Sequence, residues 1–266
     1  MADSSFLLPD LADHAQAIAS GLGVSPAIHP ADYIFRWHYD DANDTDKAAA
    51  VRTYFEGGRH TAELVARLLD GFLSTSRPFS MLEFASGYGR VTRHWKAVLP
   101  QADVDACDVH DDAVAFLARM GCRACPSSAV PEELALKRRY DVVFALSFFT
   151  HMPRTTWARW LGALARRMVS GGIMVFTTHG VPSLKEMGVS RLEKDGFWFH
   201  SFSEQKDLST DAYGATATTF DFVYRQLIAH GLDLRHFHEG GMGYQDLYVV
   251  TSRRETGEVP EIPRSR

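Results

Sequence analysis

One segment of the sequence combines glycines, an acid and apolar residues at a spacing suited to holding a ligand. It is LEFASGYGR, residues 82–90, an apolar stretch that leads into a glycine turn. Gly87 and Gly89 lack a Cβ, so the backbone there can turn tightly and approach a bound molecule. About 20 residues further on, Asp108 ends the next apolar stretch, where a carboxylate can accept hydrogen bonds from both hydroxyls of a ribose. The spacing predicts a nucleotide-type site.

Glycine turns of this kind occur in several nucleotide sites, and neighbouring residues distinguish between them. A nicotinamide-binding turn has a third small residue that lets its helix pack closely, whereas here the bulky Thr92 stands at that position. The carboxylate of Glu83 suits a cationic amino-acid group better than an anionic pyrophosphate. A P-loop is excluded because no Gly-Lys-Ser/Thr follows the turn. A nicotinamide-dependent oxidoreductase therefore stays a minor alternative.

The elements that must position these residues alternate between short apolar runs and helical stretches. This pattern indicates βαβ units and a mostly parallel sheet. Strands are predicted over residues 81–85, 103–108, 122–126, 141–146, 173–178, 232–238 and 246–251. Helices are predicted over residues 89–99, 111–120, 153–169 and 219–230.

The predicted secondary structure and the composition divide the chain into three parts. Residues 1–75 are predicted to form an N-terminal helical cap, with an amphipathic helix over 48–73 that Gly57-Gly58 interrupts. Residues 76–252 form the α/β domain, in which a long connection at about 180–218 is a lid, because loops of that length usually cover binding sites. Residues 253–266 are a polar tail.

Composition restricts the class of protein and its partners. The 266 residues are 45% hydrophobic and 23% charged, which is typical of a globular protein with a sizeable core. The net charge of -5 provides no positive field for nucleic acid. Three cysteines indicate a reducing compartment, and neither a signal peptide nor a membrane span is recognised. We therefore expect a cytoplasmic protein without a nucleic-acid partner; whether it forms a homodimer is open.

In combination, several stretches resemble class I S-adenosylmethionine-dependent methyltransferases, and in particular the branch that acts on small molecules. They are Glu83-x-Ala85-x-Gly87-x-Gly89 with Asp108, the strand over 140–147, the segment FFTHMP at 148–153, and Gly171-Gly172 before the strand at 173–178. The resemblance covers residues 78–180. The sequence departs from it at Ala85, where the family usually has glycine, and after the third strand, where the family often has an acid.

The resemblance implies a Rossmann-like, seven-stranded methyltransferase sheet with helices on both faces, an N-terminal helical cap and a lid insertion after strand 5. It implies S-adenosylmethionine as the cofactor and residues 76–252 as the domain that binds it. Within that domain it places Glu83, Ala85 and Gly87 along the methionine portion, Asp108 on the ribose, and Val109 against the adenine. Ser127 and Ser128 border the adenine edge, and Leu146 and Ser147 lie beneath the sulfonium. Ser86 and Gly89 complete the predicted cofactor-binding set.

The implied reaction is methyl transfer to a small molecule such as a natural product, a quinone-like ring or a sugar. A hydroxyl acceptor is slightly preferred because two histidines at the carboxyl edge of the sheet, His151 and His179, could act as its base. His151 could equally be a hydrogen-bonded residue near the cofactor, and His200 in the lid is a weaker candidate. The other function left open is a non-catalytic scaffold with this fold, which the departures at Ala85 and after the third strand favour.

No metal site is expected. Cys122 and Cys125 would point to opposite faces of a strand, which suits buried apolar cysteines better than ligands. His236 and His238 share a strand face but have no evident third ligand. The aromatic run at 197–202 could stack on a planar acceptor or anchor the lid to the core, and the sequence does not decide between these functions.

Overall fold

The structure, a computed structural model, describes residues 7, 9–40, 44–202 and 208–253. Its main sheet has seven strands, which confirms the predicted fold class. The strands are β1 Phe79–Phe84, β2 Ala102–Asp108, β3 Arg123–Pro126, β4 Tyr140–Ala145, β5 Met168–Thr178, β8 Leu232–Met242 and β9 Gln245–Ser252. Their spatial order is β3-β2-β1-β4-β5-β9-β8, and β9 runs antiparallel to both of its neighbours, β5 and β8. The carboxyl ends of β1 to β5 therefore share one edge.

Helices cover both faces of this sheet because alternate strand residues point to opposite sides. The N-terminal helices are α1 Pro9–Leu22, α2 Tyr33–Tyr39 and α3 Asp44–Asp70, and those that follow are α4 Trp95–Val98, α5 Asp111–Arg119, α6 Arg154–Ala165, α7 Val181–Glu186 and α8 Phe220–Ala229. On one face, Leu82 and Val143 pack with residues of α6 and α8. On the other, Met81 and Val142 pack with the second half of α3 and with α4.

Helix α3 is continuous through Gly57-Gly58, so the predicted interruption is wrong. The two glycines lie where the helix crosses the chain after β1. A Cβ on Gly58 would stand 2.1 Å from the carbonyl oxygen of Arg90, a distance that no real Cβ keeps. The glycine is therefore explained by a close approach between backbones and not by a break in the helix.

The first half of α3 belongs to a different core from its second half. Val51 and Phe55 pack with α1 and α2 in a separate N-terminal cluster, whereas Val65 and Leu69 pack against the sheet. The helix thus joins the predicted cap to the sheet directly. The boundary at residue 75 stays a prediction.

The predicted helix over 89–99 is wrong in extent. Only a 3₁₀ turn, Thr92–His94, and the four-residue α4 form there. Gly89 has a φ of 80°, a left-handed conformation outside the helical region, which delays the helix start. The glycine turn is therefore followed by tight irregular backbone.

The predicted lid after β5 has more secondary structure than the sequence indicated. It contains α7 and an antiparallel pair, β6 Phe197–His200 and β7 Ala215–Thr218. Residues 203–207 of the lid and the tail from 254 onward lie outside the described residues. Within the described ranges, no helix is long and apolar enough to cross a membrane.

Candidate active site

A cavity of about 300 Å³ opens at the carboxyl ends of β1, β2, β3 and β4. Eleven of the thirteen predicted site residues line it, and they are Glu83, Ala85, Ser86, Gly87, Asp108, Val109, Ser127, Ser128, Leu146, Ser147 and His151. Gly89 and His179 are not among the lining residues. The fold thus brings four separate stretches of sequence to one concave site, as expected where parallel strands end.

The turn after β1 takes a conformation that leaves room in front of it. Ala85 and Gly87 have φ angles of 56° and 54°. A Cβ on Gly87 would meet nothing within 4 Å, so the turn faces open cavity at this point. A Cβ on Gly89 would lie 2.6 Å from Cδ2 of Leu117, so this glycine serves the packing of α5. Ala85 keeps the left-handed conformation that glycine adopts more easily.

Asp108 at the end of β2 holds the glycine turn in place. Its Oδ2 accepts a hydrogen bond from the Gly87 N–H at 2.7 Å, and its Oδ1 accepts one from the His110 N–H at 3.0 Å. Nδ1 of His110 lies 2.8 Å from the same Oδ1. A carboxylate offers about four lone-pair sites, so capacity is left for a ligand hydroxyl.

Glu83 is buried at the base of the cavity. Its Oε2 accepts a hydrogen bond of 2.6 Å from Nε1 of Trp95 on α4. Burial is the largest influence on this carboxyl and raises its pKa to about 7, although the Trp95 hydrogen bond acts in the opposite direction. Near neutral pH the group is therefore close to its point of half-ionisation.

Ser147, just beyond the end of β4, also has a strained backbone. Its φ is 54°, and its N–H donates to Oγ1 of Thr177 at 2.8 Å. Its hydroxyl and the side-chain amide of Gln245 on β9 lie within hydrogen-bonding distance, with 2.9 Å between Oγ and Nε2. Non-glycine residues persist in this conformation only where the surroundings hold them, and such positions concentrate at functional sites.

His151 lies on the loop after β4 and its ring orientation is fixed. Nδ1 is 2.8 Å from the carbonyl oxygen of Gly214, and the ring stacks on Tyr213 with 4.3 Å between centroids. A carbonyl can only accept, so Nδ1 carries the hydrogen. In the neutral ring, Nε2 is then the atom that can take up a proton.

His179, at the end of β5, has a different environment. Its ring is buried, its Nδ1 lies 3.1 Å from the Thr216 carbonyl oxygen, and it stacks on Tyr244. Burial lowers the pKa of His179 to about 4. Its role as a base stays a prediction, and the cavity geometry favours His151.

Val109, Ser127 and Ser128 form the rim of the cavity beside Asp108. Val109 is 37% exposed and so presents an accessible apolar surface. The Ser127 N–H donates to the Asp108 carbonyl oxygen at 2.7 Å, which links the ends of β2 and β3. Their contacts with an adenine ring stay predictions.

The cavity has further walls that the sequence did not reveal. The cap contributes Asp32, Tyr33 and Ile34, and the lid contributes Leu208, Ser209, Ala212 and Tyr213. No local pattern marks these residues, since the tertiary fold alone brings them to the sheet edge. Arg90 also lines the cavity, and its place directly after the glycine turn is a signal that could have found it.

The aromatic run of the lid does not line this cavity. Phe197 is buried in the main core, against Phe222 and under the guanidinium of Arg154, so it anchors the lid. Phe202 is 60% exposed.

The three cysteines are free, and Cys122 and Cys125, which were expected to be buried, are half-buried. Cys125 lies on the edge strand β3, and Cys122 directly precedes that strand. Among the described residues, no three His, Cys, Asp or Glu side chains form a group that could hold a metal ion.

Comparison with known proteins gives a consistent result. Residues 82–174, from β1 to β5, match the family model described as a methyltransferase domain. No curated protein matches the chain in sequence.

Several solved structures share the fold at low sequence identity. CalS10 from Micromonospora echinaspora, an amino pentose methyltransferase with bound S-adenosylmethionine, has a TM-score of 0.56 at 14% identity, over 80% of this chain and 99% of that one. A magnesium protoporphyrin IX methyltransferase from Synechocystis PCC 6803 with bound S-adenosylhomocysteine has a TM-score of 0.55 at 13% identity, over 82% of this chain and 92% of that one. An S-adenosylmethionine-dependent methyltransferase from Clostridium acetobutylicum ATCC 824 has a TM-score of 0.55 at 12% identity, over 79% of this chain and 100% of that one.

Proposed function

We propose that this chain, a class I S-adenosylmethionine-dependent methyltransferase, transfers the methyl group to a small-molecule acceptor, with a hydroxyl as the preferred acceptor group. One observation carries the proposal: a single cavity contains both the glycine turn with Asp108 and the oriented ring of His151. The cap and the lid contribute walls to the same cavity, so the space for the acceptor is bounded on several sides.

The residues present fit the cofactor. The open space before Gly87 gives the cofactor's amino-acid portion room to approach the backbone, and Asp108 retains capacity for a ribose hydroxyl. Val109, Ser127 and Ser128 would border the adenine, with Leu146 and Ser147 near the reacting end. Ala85 keeps the positive φ of the turn, so this departure from the family pattern leaves the turn's conformation in place.

When bound, the cofactor supplies a methyl group that its sulfonium already activates. What the protein must do is place the acceptor in line and exclude competing water. A hydroxyl acceptor must also lose a proton. The acceptor of that proton in this proposal is Nε2 of His151, since Nδ1 donates to the Gly214 carbonyl oxygen.

A small acceptor is favoured by the shape of the site. Tyr33 and Ile34 of the cap and Leu208 and Tyr213 of the lid reach the same cavity as the glycine turn. A sugar-based and a porphyrin-based acceptor are named for two of the structurally similar methyltransferases. Residues 76–252 would form the catalytic domain and residues 180–218 its lid. A cytoplasmic location and the absence of a nucleic-acid partner stay predictions from composition.

The test is a transfer assay with cofactor labelled in its methyl group and a panel of sugars, phenols, quinols and amines. We expect label in at least one hydroxyl acceptor, together with stoichiometric S-adenosylhomocysteine. Label only in amines would contradict the preference for a hydroxyl. Calorimetric titration with S-adenosylhomocysteine and, in parallel, NADH checks the cofactor class independently, and binding of NADH alone would overturn it.

A further inference from the structure

Cys107 on β2 and Cys125 on β3 lie side by side in the sheet. They are register partners in the parallel pairing of the two strands, and both pack in the core cluster on the face that α6 and α8 cover. Neighbouring strands are about 4.8 Å apart, a separation that falls within the usual range between the Cα atoms of a disulfide. The two thiols therefore lie where one covalent bond could join them.

Cys122, the third cysteine, has a different placement. It directly precedes β3 and is not among the described residues of the cluster that holds the other two. Side chains three positions apart on an extended chain point to opposite faces, so Cys122 is directed away from Cys107. Cys122 and Cys125 are both half-buried. Cys122 thus resembles Cys125 in exposure but lacks a neighbouring thiol.

The two paired thiols are in contact and differ in reactivity. Sγ of Cys125 donates to the Ala106 carbonyl oxygen at 3.4 Å, and the side chains of Cys107 and Cys125 hydrogen-bond to each other. That hydrogen bond, together with burial, raises the pKa of Cys107, and it lowers the pKa of Cys125 although burial acts in the opposite direction. Since the thiolate is the reactive form, Cys125 is the more reactive of the two.

Both cysteines are connected to the wall of the cavity. The carbonyl oxygen of Cys107 accepts from the Ser86 N–H at 3.1 Å and from the Ser86 hydroxyl at 3.3 Å. Two residues after Cys125, the Ser127 N–H donates to the Asp108 carbonyl oxygen at 2.7 Å, and the Ser127 side chain hydrogen-bonds to that of Cys107. Ser86, Asp108 and Ser127 all line the cavity. A change in the distance between the two sulfurs would therefore reach the cavity.

We propose that Cys107 and Cys125 form an oxidation site, at which a hydroperoxide converts the two thiols to a disulfide and thereby weakens cofactor binding. Sγ of Cys125 attacks one oxygen of the hydroperoxide, the O–O bond breaks, and the second oxygen leaves as water or an alcohol with the thiol proton. Sγ of Cys107 then attacks the sulfenic acid on Cys125, the S–O bond breaks, and hydroxide leaves as water with the Cys107 proton. The two sulfurs together lose two electrons, which reduce the hydroperoxide.

The effect on the cavity follows from the size of the disulfide. The two sulfurs of a disulfide are about 2.05 Å apart, closer than two hydrogen-bonded thiols, so β3 must shift against β2. Strand β3 has four residues and lies at the edge of the sheet, where it pairs on one side only. The shift would displace Ser127 on the cavity wall. This consequence for the cofactor rests on the proposed function, whereas formation of the disulfide does not.

The first measurement is the intact mass of the whole chain after treatment with hydrogen peroxide, unfolding and alkylation with N-ethylmaleimide. Wild type should take up a single maleimide, on Cys122, and all three after reduction with dithiothreitol. Cys122→Ser, the matched control, should still form the disulfide. Cys107→Ser should stop at a sulfenic acid on Cys125 that dimedone traps. Because Cys107 is buried, Cys107→Ala repeats the test with a small apolar side chain in case serine disturbs folding.

Three results of this measurement would overturn the proposal. They are three free thiols in wild type after peroxide, a disulfide that includes Cys122, and a disulfide between two molecules. Each would mean that the pairing of Cys107 with Cys125 serves packing alone.

The second measurement is calorimetric titration with S-adenosylhomocysteine. Oxidised wild type and oxidised Cys122→Ser should bind it about 10-fold more weakly than their reduced forms, the scale of one lost hydrogen bond. Peroxide should leave the affinity of Cys125→Ser equal to that of its own reduced form. Equal affinities of oxidised and reduced wild type would overturn the effect on the cavity. If reduced wild type does not bind, the proposed function and this effect both fail, whereas the mass measurement still decides whether the disulfide forms.

Discussion

The carboxylate of Asp108 and the backbone N–H of Gly87 are joined by a hydrogen bond of 2.7 Å. This bond connects the end of β2 to the glycine turn after β1, so one side chain both shapes the turn and faces the cavity. The proposed binding of a ribose would therefore be coupled, through Asp108, to the positioning of the turn.

Replacing this carboxylate tests that coupling. We expect Asp108→Asn to weaken S-adenosylhomocysteine binding by about 10- to 100-fold, because hydrogen bonds to a charged acceptor are worth roughly 1.5 to 3 kcal/mol. Calorimetry measures the effect, with Asp111→Asn at the exposed start of α5 as control. Equal affinities for Asp108→Asn and wild type would remove Asp108 from the site.

His151 provides a test of catalysis separate from binding. His151→Gln can still donate to the Gly214 carbonyl but has no basic nitrogen, so we expect turnover of a hydroxyl acceptor to fall about 100-fold or more. Affinity for S-adenosylhomocysteine should stay within about 3-fold of wild type. His238→Gln, at an exposed position of β8, is the control. If turnover and cofactor affinity fall in parallel, His151 is a cofactor-pocket residue and not a base.

The two neighbouring glycines of α3 should respond to alanine with opposite signs. Gly58→Ala would place a Cβ 2.1 Å from the Arg90 carbonyl oxygen, and we expect it to lower the free energy of unfolding by about 2 kcal/mol or more. Gly57→Ala has room and gains helix propensity, so it should raise that free energy by up to about 1 kcal/mol. Urea denaturation measures both. Similar values for the pair would mean that the close crossing of α3 and the glycine turn is not formed.

Ala85 allows the strain of the glycine turn to be measured. Its φ of 56° costs an alanine about 1 to 2 kcal/mol, while glycine adds about 0.4 to 1 kcal/mol of entropy to the unfolded chain. We therefore expect Ala85→Gly to raise the free energy of unfolding by about 0.5 to 1 kcal/mol. The same substitution at exposed Ala115 in α5 should lower it by about 1 kcal/mol. A loss of stability at both positions would show that Ala85 is unstrained.

Glu83 predicts a pH dependence of stability. Its pKa is about 7 in the folded protein and 4.5 in the unfolded chain, so between these values the folded state binds more protons. The contribution of Glu83 to the free energy of unfolding is therefore fully present at low pH and is lost as the pH rises through about 7. The free energy of unfolding of Glu83→Gln minus that of wild type should therefore increase by about 1 to 3 kcal/mol as the pH rises from about 5 to about 8. Urea unfolding without cofactor measures the difference, and a constant difference would contradict the raised pKa.

The fold and most of the predicted site were readable from local patterns. Apolar runs separated by helical stretches indicated the parallel sheet, and in such a sheet the residues that follow each strand meet at one edge. That is why Gly87, Asp108, Ser147 and His151 could be grouped from sequence although they are distant along the chain. The glycine spacing and the acid after β2 indicated a nucleotide-type site, and the resemblance to class I methyltransferases implied which cofactor it holds.

Only the tertiary structure decided what surrounds that edge. Arg90 and Arg93 are both arginines close to the turn, yet Arg93 donates to carbonyl oxygens of the N-terminal segment, whereas Arg90 lines the cavity. Gly57-Gly58 suggested a helix break because local propensity disfavours glycine, whereas a close backbone crossing explains Gly58. His151 and His179 follow neighbouring strands, and their neighbours from the lid decide which ring lines the cavity. Local sequence determines the conformational preferences of the backbone. Which side chains are buried, and which hydrogen-bond partners they have, depends on contacts between residues far apart in the chain.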